Sequence, residues 1–526
     1  MANYDVVVIG SGFGGAVAAC KLAESGAKVL VLERGRRWTP DNFPRAVFAP
    51  WFFSHRWPHL LNGWLDLRVY PKMIVMLGAA VGGGSLSYAG VLVPADKERF
   101  ASGWPSEITY AALQTHYHAA RCKLGAAEVP DGQETARTRI LRRAAQKLGY
   151  EDRLNKVPLG ITFDKNFSFG LSDPINARHS TSHSNQSGIR QGTCVHLGNC
   201  QVGCDVLAKN TLDLNYLATA EQNGAEIRPL HVARCIEPKG SGYRVHFRRL
   251  RGWGYAAGSV AAERVILAAG SLGSTEMLLR CRDEFRTLPK VSHALGTLWS
   301  ANANVMTTTP YPRNVEVHQG IGPMISATLN FMDKTLQHHF VIEDDGLPNF
   351  ALNALAGRHY RSWLARLLGR PLHRGYGELN PGRQSMMWLG AGIDAGDGRL
   401  ELKPDFLSPW RNKLHLAWPA AASGEEAQAI FAMHSLLSRI EGGQAQMSLP
   451  LKYLGMSNTV HPLGGCPMNA DPDKGVVDHR GEVHGYPNLF VLDGAIVPAP
   501  LGRNPALTIA ALAERGSGLM VEANRG

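Results

Sequence analysis

Val6-Val7-Val8-Ile9-Gly10-Ser11-Gly12-Phe13-Gly14-Gly15, with Lys28-Val29-Leu30-Val31-Leu32-Glu33 after it, decides the fold. The β-branched run predicts a buried parallel strand. Gly10, Gly12 and Gly15 then make a G-x-G-x-x-G turn, through Phe13 and Gly14, into a helix over roughly residues 14–25. Gly10 permits the tight turn, Gly12 lets backbone approach a pyrophosphate, and Gly15 lets the helix pack close on the strand. The helix N-terminus offers free N–H groups and its positive dipole end to phosphates. A second apolar strand ends on Glu33, placed to accept hydrogen bonds from ribose hydroxyls. Strand, turn, helix, strand and acid stand in register, which predicts an adenine-dinucleotide site.

A chain of 526 residues, 44% hydrophobic and 19% charged, has the composition of a globular enzyme with two or more domains, and a disordered chain is excluded. The net charge of +11 is scattered arginine with no nucleic-acid motif beside it, so a basic but ordinary surface and no nucleic-acid partner are expected. The first strand follows Met1 closely, and no apolar run reaches membrane-spanning length. A cytoplasmic protein is expected, with peripheral membrane contact left open. Eight cysteines are too sparse for a disulfide scaffold. Cys20, Cys122, Cys235, Cys281 and Cys466 are expected to be reduced packing residues.

The segment Phe48–Pro58, with Trp64 after it, is rich in tryptophan and broken by proline. It reads either as a loop packed over the cofactor or as an apolar entrance for a greasy substrate that touches a membrane. Val81-Gly82-Gly83-Gly84-Ser85-Leu86 exposes backbone N–H groups and allows flat approach to a planar ring, a second cofactor contact. Residues 106–150 read as helical, with Leu113, Tyr117 and Leu124 at helical spacing, and 158–193 as irregular. Arg264 to Thr275 is a strand running through glycines into a helix, a return to the dinucleotide domain. From about 300 to 450 polar and apolar positions alternate, as in Asn314–His318, which predicts an antiparallel sheet with helices. Tyr360–Arg370 reads as a short basic amphipathic helix docked on the core, with a membrane-facing role as the other reading. Asn488–Gly494 is a buried strand ending in Asp493 and Gly494, and Pro505–Arg515 a helix.

These motifs, in this order, resemble the glucose–methanol–choline (GMC) flavoprotein oxidoreductases, and within them the cholesterol oxidase branch. The resemblance runs from Val6 to Arg515. It implies that Gly10 to Glu33 holds the ADP half of FAD and that Val81–Leu86 lies against the isoalloxazine ring. Tyr88 stands where the family has a nearby Asn. It also implies that Asp493 and Gly494 reach the ribityl and pyrophosphate groups. Val460-His461-Pro462-Leu463-Gly464-Gly465 and Arg503-Asn504-Pro505 match the family's His and Asn in front of the flavin. Alcohol oxidation sends hydride to the flavin while the hydroxyl loses a proton, so a group of moderate pKa such as His461 must take that proton. The amide of Asn504 polarises the same oxygen. Phe340–Asp345 resembles the strand carrying the active-site glutamate of sterol oxidases, matching at Glu343; the other reading is a solvated acidic turn.

The fold expected is thus α/β. Its discontinuous FAD-binding domain (1–105, 191–300 and 456–526) carries a helical and irregular cap (106–190) and an α+β substrate domain on an antiparallel sheet (301–455). The expected reaction is oxidation of a hydrophobic alcohol, a 3β-hydroxysteroid, to the ketone. No G-x-S-x-G elbow or Walker-type lysine loop supports a hydrolase or NTPase. A nicotinamide dehydrogenase leaves His461 and Asn504 unexplained.

Cys194, Cys200 and Cys204 have spacing C-x5-C-x3-C on a glycine-containing loop. They fall short of a four-thiolate cluster but make a Cys3His zinc site with His196. The spacing is similar to that of iron–sulfur GMC dehydrogenases, which implies a [3Fe-4S] cluster passing electrons to a cytochrome or quinone. Zinc and plain thiols stay open beside it. Without a cluster, oxygen is the expected acceptor. Two alternatives therefore accompany the sterol reading: an iron–sulfur dehydrogenase of sugars or other alcohols, and a membrane-docked flavoprotein electron carrier.

Overall fold

The computed structural model describes residues 4–45, 49–252, 254–312, 315–333, 336–348, 384–405, 408–419 and 424–523. The segment Tyr360–Arg370 lies outside the described residues, as do Phe48 and Asn314.

β1 (Tyr4–Ile9), α1 (Phe13–Glu24) and β2 (Val29–Leu32) form the expected βαβ unit. Val6 to Ile9 and all of β2 are buried, as unbroken aliphatic strands must be. α1 packs so closely that only glycine fits at positions 14 and 15. A Cβ on Gly14 would stand 1.5 Å from the Leu492 carbonyl oxygen, and one on Gly15 would stand 2.1 Å from that of Gly10. Gly10 itself takes φ +99°, open only to glycine at low cost.

The sheet continues with β3 (Glu226–Arg228), β4 (His231–Lys239), β5 (Gly242–Arg251) and β6 (Gly254–Leu267), in the order β3-β2-β1-β6-β5-β4. β6 belongs to two patterns. Its C-terminal part runs parallel to β1, and its N-terminal part pairs antiparallel with β5. α2 (Gly270–Leu279) follows, and β7 (Leu489–Val491) comes from far along the chain to pair with Val265–Leu267. α3 (Ala506–Ala523) then covers α1 and the helix Tyr110–Lys123.

A second, antiparallel sheet has the order Gln446–Met447, Val305–Pro310, Ser385–Gly392, Phe340–Glu343, Ala327–Phe331, Leu154–Lys156. The helix Gly424–Arg439 lies on it, and Ile430, Met433 and Leu437 join Trp388, Val305 and Ile342 in one buried cluster. The architecture is the α/β class expected from the motifs, with a Rossmann-like layer and an antiparallel sheet.

Three local expectations need correction. Residues 106–150 form two helices, Tyr110–Lys123 and Ala136–Leu148, not one run. Gly125 (φ +57°) and Gly132 (φ +81°) turn the chain between them, and Thr135 caps the second by accepting from the Thr138 N–H. Residues 315–318 bury Val315 and Val317 and expose Glu316, yet form no strand. Pro310 and Pro312 bring no N–H to a ladder there, and Val315 N–H turns back to the Pro312 carbonyl. Cys122 is exposed, not packed. Residues 158–193, read as irregular, contain only short pieces such as Ser182–Ser184 paired with Arg190–Gly192.

Candidate active site

A cavity of ≈ 510 Å³ runs from the turn after β1 to the loops before α3. One wall is glycine-rich backbone: Gly10 to Gly14, Gly83 and Gly84, and Ala268 to Gly273. A Cβ on Gly12 meets nothing within 4 Å, so the space beside this glycine is free for a ligand. Gly83 sits at φ +53°, where a Cβ would stand 2.6 Å from Gly12 Cα. The two glycine turns are therefore locked together. Ser85, buried beside them, donates to the Gly82 carbonyl at 2.7 Å and accepts from the Leu212 N–H at 3.0 Å.

Glu33 also lines this wall. Its carboxylate accepts from Ser11 N–H (3.0 Å), Ser11 Oγ–H (2.7 Å) and Gly35 N–H (2.8 Å), which fixes the glycine turn while lone pairs remain for hydroxyl donors. Asp493 accepts from Gly270 N–H (2.8 Å), Ser274 Oγ–H (2.5 Å) and Ala495 N–H (2.8 Å). It thereby caps α2 and aims its N-terminus at the cavity, with Gly494 alongside. These residues fit an extended dinucleotide: a cradle without side chains, one helix N-terminus on either side, and a carboxylate at the ribose end.

The other end of the cavity is lined by His461 and Asn504 between apolar side chains, among them Met306, Ile325, Leu389 and Val460. The sequence-read pair is thus brought to one place. His461 N–H donates to Thr459 Oγ at 2.9 Å, and Thr459 is anchored to the Ala301 carbonyl. Behind it, Gly464 (φ +77°) presses on Leu298, where a Cβ would stand 1.9 Å from the carbonyl oxygen. Burial holds the His461 imidazole down at about 4, so the ring is neutral at physiological pH and keeps one acceptor nitrogen. Asn504 is held by its neighbours: Asn302 Oδ1 accepts from Leu501 and Gly502 N–H, Asn302 Nδ2 donates to the Arg503 carbonyl, and Arg503 pairs with Asp96.

Glu343 is 1% exposed, at the end of its strand opposite Thr328 and Leu389, and accepts from Asn504 Nδ2 at 3.4 Å. Burial pushes its carboxyl up to about 8. It is not a solvated turn residue, yet the acid from this segment that lines the cavity is Asp345. Asp345 Oδ1 accepts from Gly346 N–H (2.8 Å) and Gln201 Nε2–H (3.3 Å), and burial raises its carboxyl to about 7. Sequence reading missed Asp345 and Gln201. The strand ends at Glu343, so no strand periodicity reaches the first, and the second comes from a loop with no signal of its own.

Tyr88 lines the cavity, donates to the Asn210 carbonyl at 2.9 Å and packs edge-on against Phe13. From the tryptophan-rich segment, Trp64 lines the cavity, while Phe52, Trp57, Leu60 and Leu61 are exposed. A buried ion network (Arg34–Asp66, Arg68–Asp66, Arg68–Glu276 and Arg280–Glu276) ties the hairpin Leu65–Gly78 to α2.

The cysteine loop does not fit a metal. Among the described residues, no group of three or more His, Cys, Asp and Glu side chains is placed to hold an ion. His196 Nε2 is hydrogen-bonded to Gln133 Oε1 at 3.1 Å and its ring stacks on Phe167. Burial drives the Cys194 thiol well above its ordinary value and the Cys200 thiol up to about 11. What the loop does is structural: Lys209 Nζ donates to the carbonyls of Cys200 and Leu86, binding it to the second glycine turn.

Comparison with known proteins agrees with the geometry. A family model described as GMC oxidoreductase matches residues 440–513, and one described as an NAD(P)-binding Rossmann-like domain matches residues 8–41. A cholesterol oxidase of Mycobacterium tuberculosis (strain CDC 1551 / Oshkosh) is 30% identical, over 98% of this chain and 91% of its own. Another, from Acinetobacter baumannii, is 28% identical over 98% of this chain and 93% of its own. The crystal structure of pyridoxine 4-oxidase from Mesorbium loti shares the fold, with TM-score 0.63 and 16% identity over 98% of this chain and 99% of that one. With a glycine cradle for a dinucleotide leading to His461 and Asn504, the chain belongs to the GMC oxidoreductases, in their cholesterol oxidase-like branch, as an FAD-dependent alcohol oxidoreductase.

Proposed function

We propose that the protein oxidises a hydrophobic secondary alcohol, of the 3β-hydroxysteroid class, to its ketone. The observation that carries this is one cavity in which the dinucleotide cradle continues into an apolar chamber holding His461, Asn504 and Asp345. The cholesterol oxidases among its relatives support the steroid class. FAD, when bound in the cradle, accepts the hydride that leaves the carbinol carbon.

The chain's own residues handle the hydroxyl. Neutral His461 accepts the hydroxyl proton at its free ring nitrogen, and the Asn504 amide donates to the same oxygen. Glu343, protonated at neutral pH, orients Asn504 from behind. Asp345, ionised above about 7, is the carboxylate that faces substrate and takes or returns a proton there. Buried Ile325 and Leu389, with Met306 beside them, exclude water from the reacting end. For the acceptor we propose oxygen; the cysteine loop offers no observation in favour of a cluster and a cytochrome or quinone. Exposed Phe52, Trp57, Leu60 and Leu61 support contact with a lipid surface that supplies the substrate.

The test is the visible spectrum of the purified protein under argon before and after a 3β-hydroxysteroid is added. Bleaching of the oxidised flavin bands supports the proposal. A flavin that stays oxidised with steroid yet bleaches with a sugar or a linear alcohol overturns the steroid assignment.

A further inference from the structure

Two thiols outside the active site face each other across β4 and the turn after α2. Cys235 follows a bulge in β4, where the register with β5 shifts between Ala233 and Cys235. Cys281 lies in the π-helical turn Arg280–Glu284 that ends α2. Cys281 Sγ accepts from the Ile236 N–H at 3.3 Å, so its sulfur sits at the residue next to Cys235. Cys235 Sγ is 3.5 Å from Thr287 Oγ and donates to the Ile236 carbonyl at 3.7 Å, and the Thr287 N–H donates to the Cys281 carbonyl at 2.9 Å. Bulge and π turn are both one-residue irregularities, and they bring the two sulfurs together.

The pair borders the cofactor cradle. His231 N–H donates to the Glu33 carbonyl at 2.8 Å, and Val232, Ala233 and Arg234, just before Cys235, line the cavity. Met277 and Arg280, just before Cys281, line the same end. A bond between the sulfurs would join these two walls.

We propose that Cys235 and Cys281 are an oxidation site: peroxide converts them to a disulfide that clamps the ribose end of the cradle and slows release of FAD. The Cys235 sulfur attacks one peroxide oxygen, the O–O bond breaks, and water leaves a sulfenic acid. The Cys281 thiol then attacks that sulfur, forming S–S and releasing a second water. Two thiols lose two electrons and two protons in all; one peroxide is reduced to two waters. Cys235 reacts first because it is 9% exposed against 0% for Cys281. The Cys281 thiol donates to Cys235 and holds it below the ordinary thiol value.

The experiment treats FAD-loaded protein with hydrogen peroxide, alkylates remaining thiols and digests with trypsin. Cleavage isolates Cys235–Lys239 and Cys281–Arg282, so the linked product is one small species, about 2 Da lighter than its two peptides. Its appearance, its reversal by dithiothreitol and an FAD release about fivefold slower in the oxidised protein are the expected results. Recovery of both peptides alkylated, a sulfinic Cys235 with no link, or linkage confined to Cys194, Cys200 and Cys204 overturns the site. Unchanged FAD release in linked protein overturns the clamp. Cys281→Ser and Cys235→Ser each remove the linked peptide and the peroxide effect on release; release that still slows in either variant assigns it elsewhere and refutes the proposal. None of these readouts depends on the alcohol, so failure here is distinct from failure of the steroid assignment.

Discussion

His461 and Asp345 carry opposite consequences of burial, and the pH profile separates them. Burial lowers the imidazole to about 4, so His461 is neutral and able to accept a proton across the working range. Burial raises Asp345 to about 7, so it is protonated below that pH and a base above it. Flavin reduction by substrate is therefore expected to rise with pH through the region of 7. Asp345→Asn flattens that limb in stopped-flow measurements; an unaltered limb removes Asp345 from the reaction. His461→Ala is expected to slow flavin reduction by about 10³-fold while FAD content stays full. Glu343→Gln keeps shape and the neutral state, so flavin reduction changes less than about threefold. A loss as large as that of His461→Ala would make Glu343 a proton acceptor in the reaction rather than a residue that orients Asn504. The sequence made His461 and Asn504 legible because each stands in a motif of fixed local geometry. Glu343 came from the resemblance along Phe340–Asp345; the strand ends at that residue, and the turn after it is what brings Asp345 to the cavity.

At the level of the element, the first βαβ unit was readable because few backbones satisfy it. A strand buried on both faces, a turn at positive φ and a helix in contact with backbone leave almost no other residues eligible. Its glycines do not share one task, and two substitutions show this. Gly14→Ala drives a methyl into the Leu492 carbonyl at 1.5 Å, and a stability loss of about 3 kcal/mol or more is expected by chemical denaturation. Gly12→Ala meets no protein atom, so apoprotein stability is expected to hold within about 0.5 kcal/mol while FAD affinity falls about tenfold or more. Equal stability losses in the two apoproteins would contradict this division. Where local rules compete, the sequence said less. Residues 106–150 keep helical periodicity across Gly125 and Gly132, and alternation at 315–318 survives as burial without a ladder.

For the whole molecule, the decisive contacts span the sequence. Asn302, at φ +57°, clamps residues 501–503 with its side chain and accepts from Gly392 N–H with its carbonyl, so one residue joins the antiparallel sheet to the loop that carries Asn504. Asn302→Ala is expected to cost about 2–4 kcal/mol in denaturant titrations and to slow flavin reduction, since the loop loses three buried hydrogen bonds. No periodicity announces such a residue, because its partners lie far along the chain. The same holds for Cys235 and Cys281.

The long strand β6 has a consequence for how the protein is made. Its antiparallel half can pair with β5 as soon as both have left the ribosome. Its other half, with α1, stays open until β7 and Leu492–Asp493 arrive, because Gly14 closes on Leu492 and the N-terminus of α2 on Asp493. The nascent chain thus spends most of its synthesis with the nucleotide cradle one wall short. Flavin capture becomes a late event, available as a checkpoint on completed chains, and a ribosome stalled before β7 holds a protein that cannot yet turn yellow.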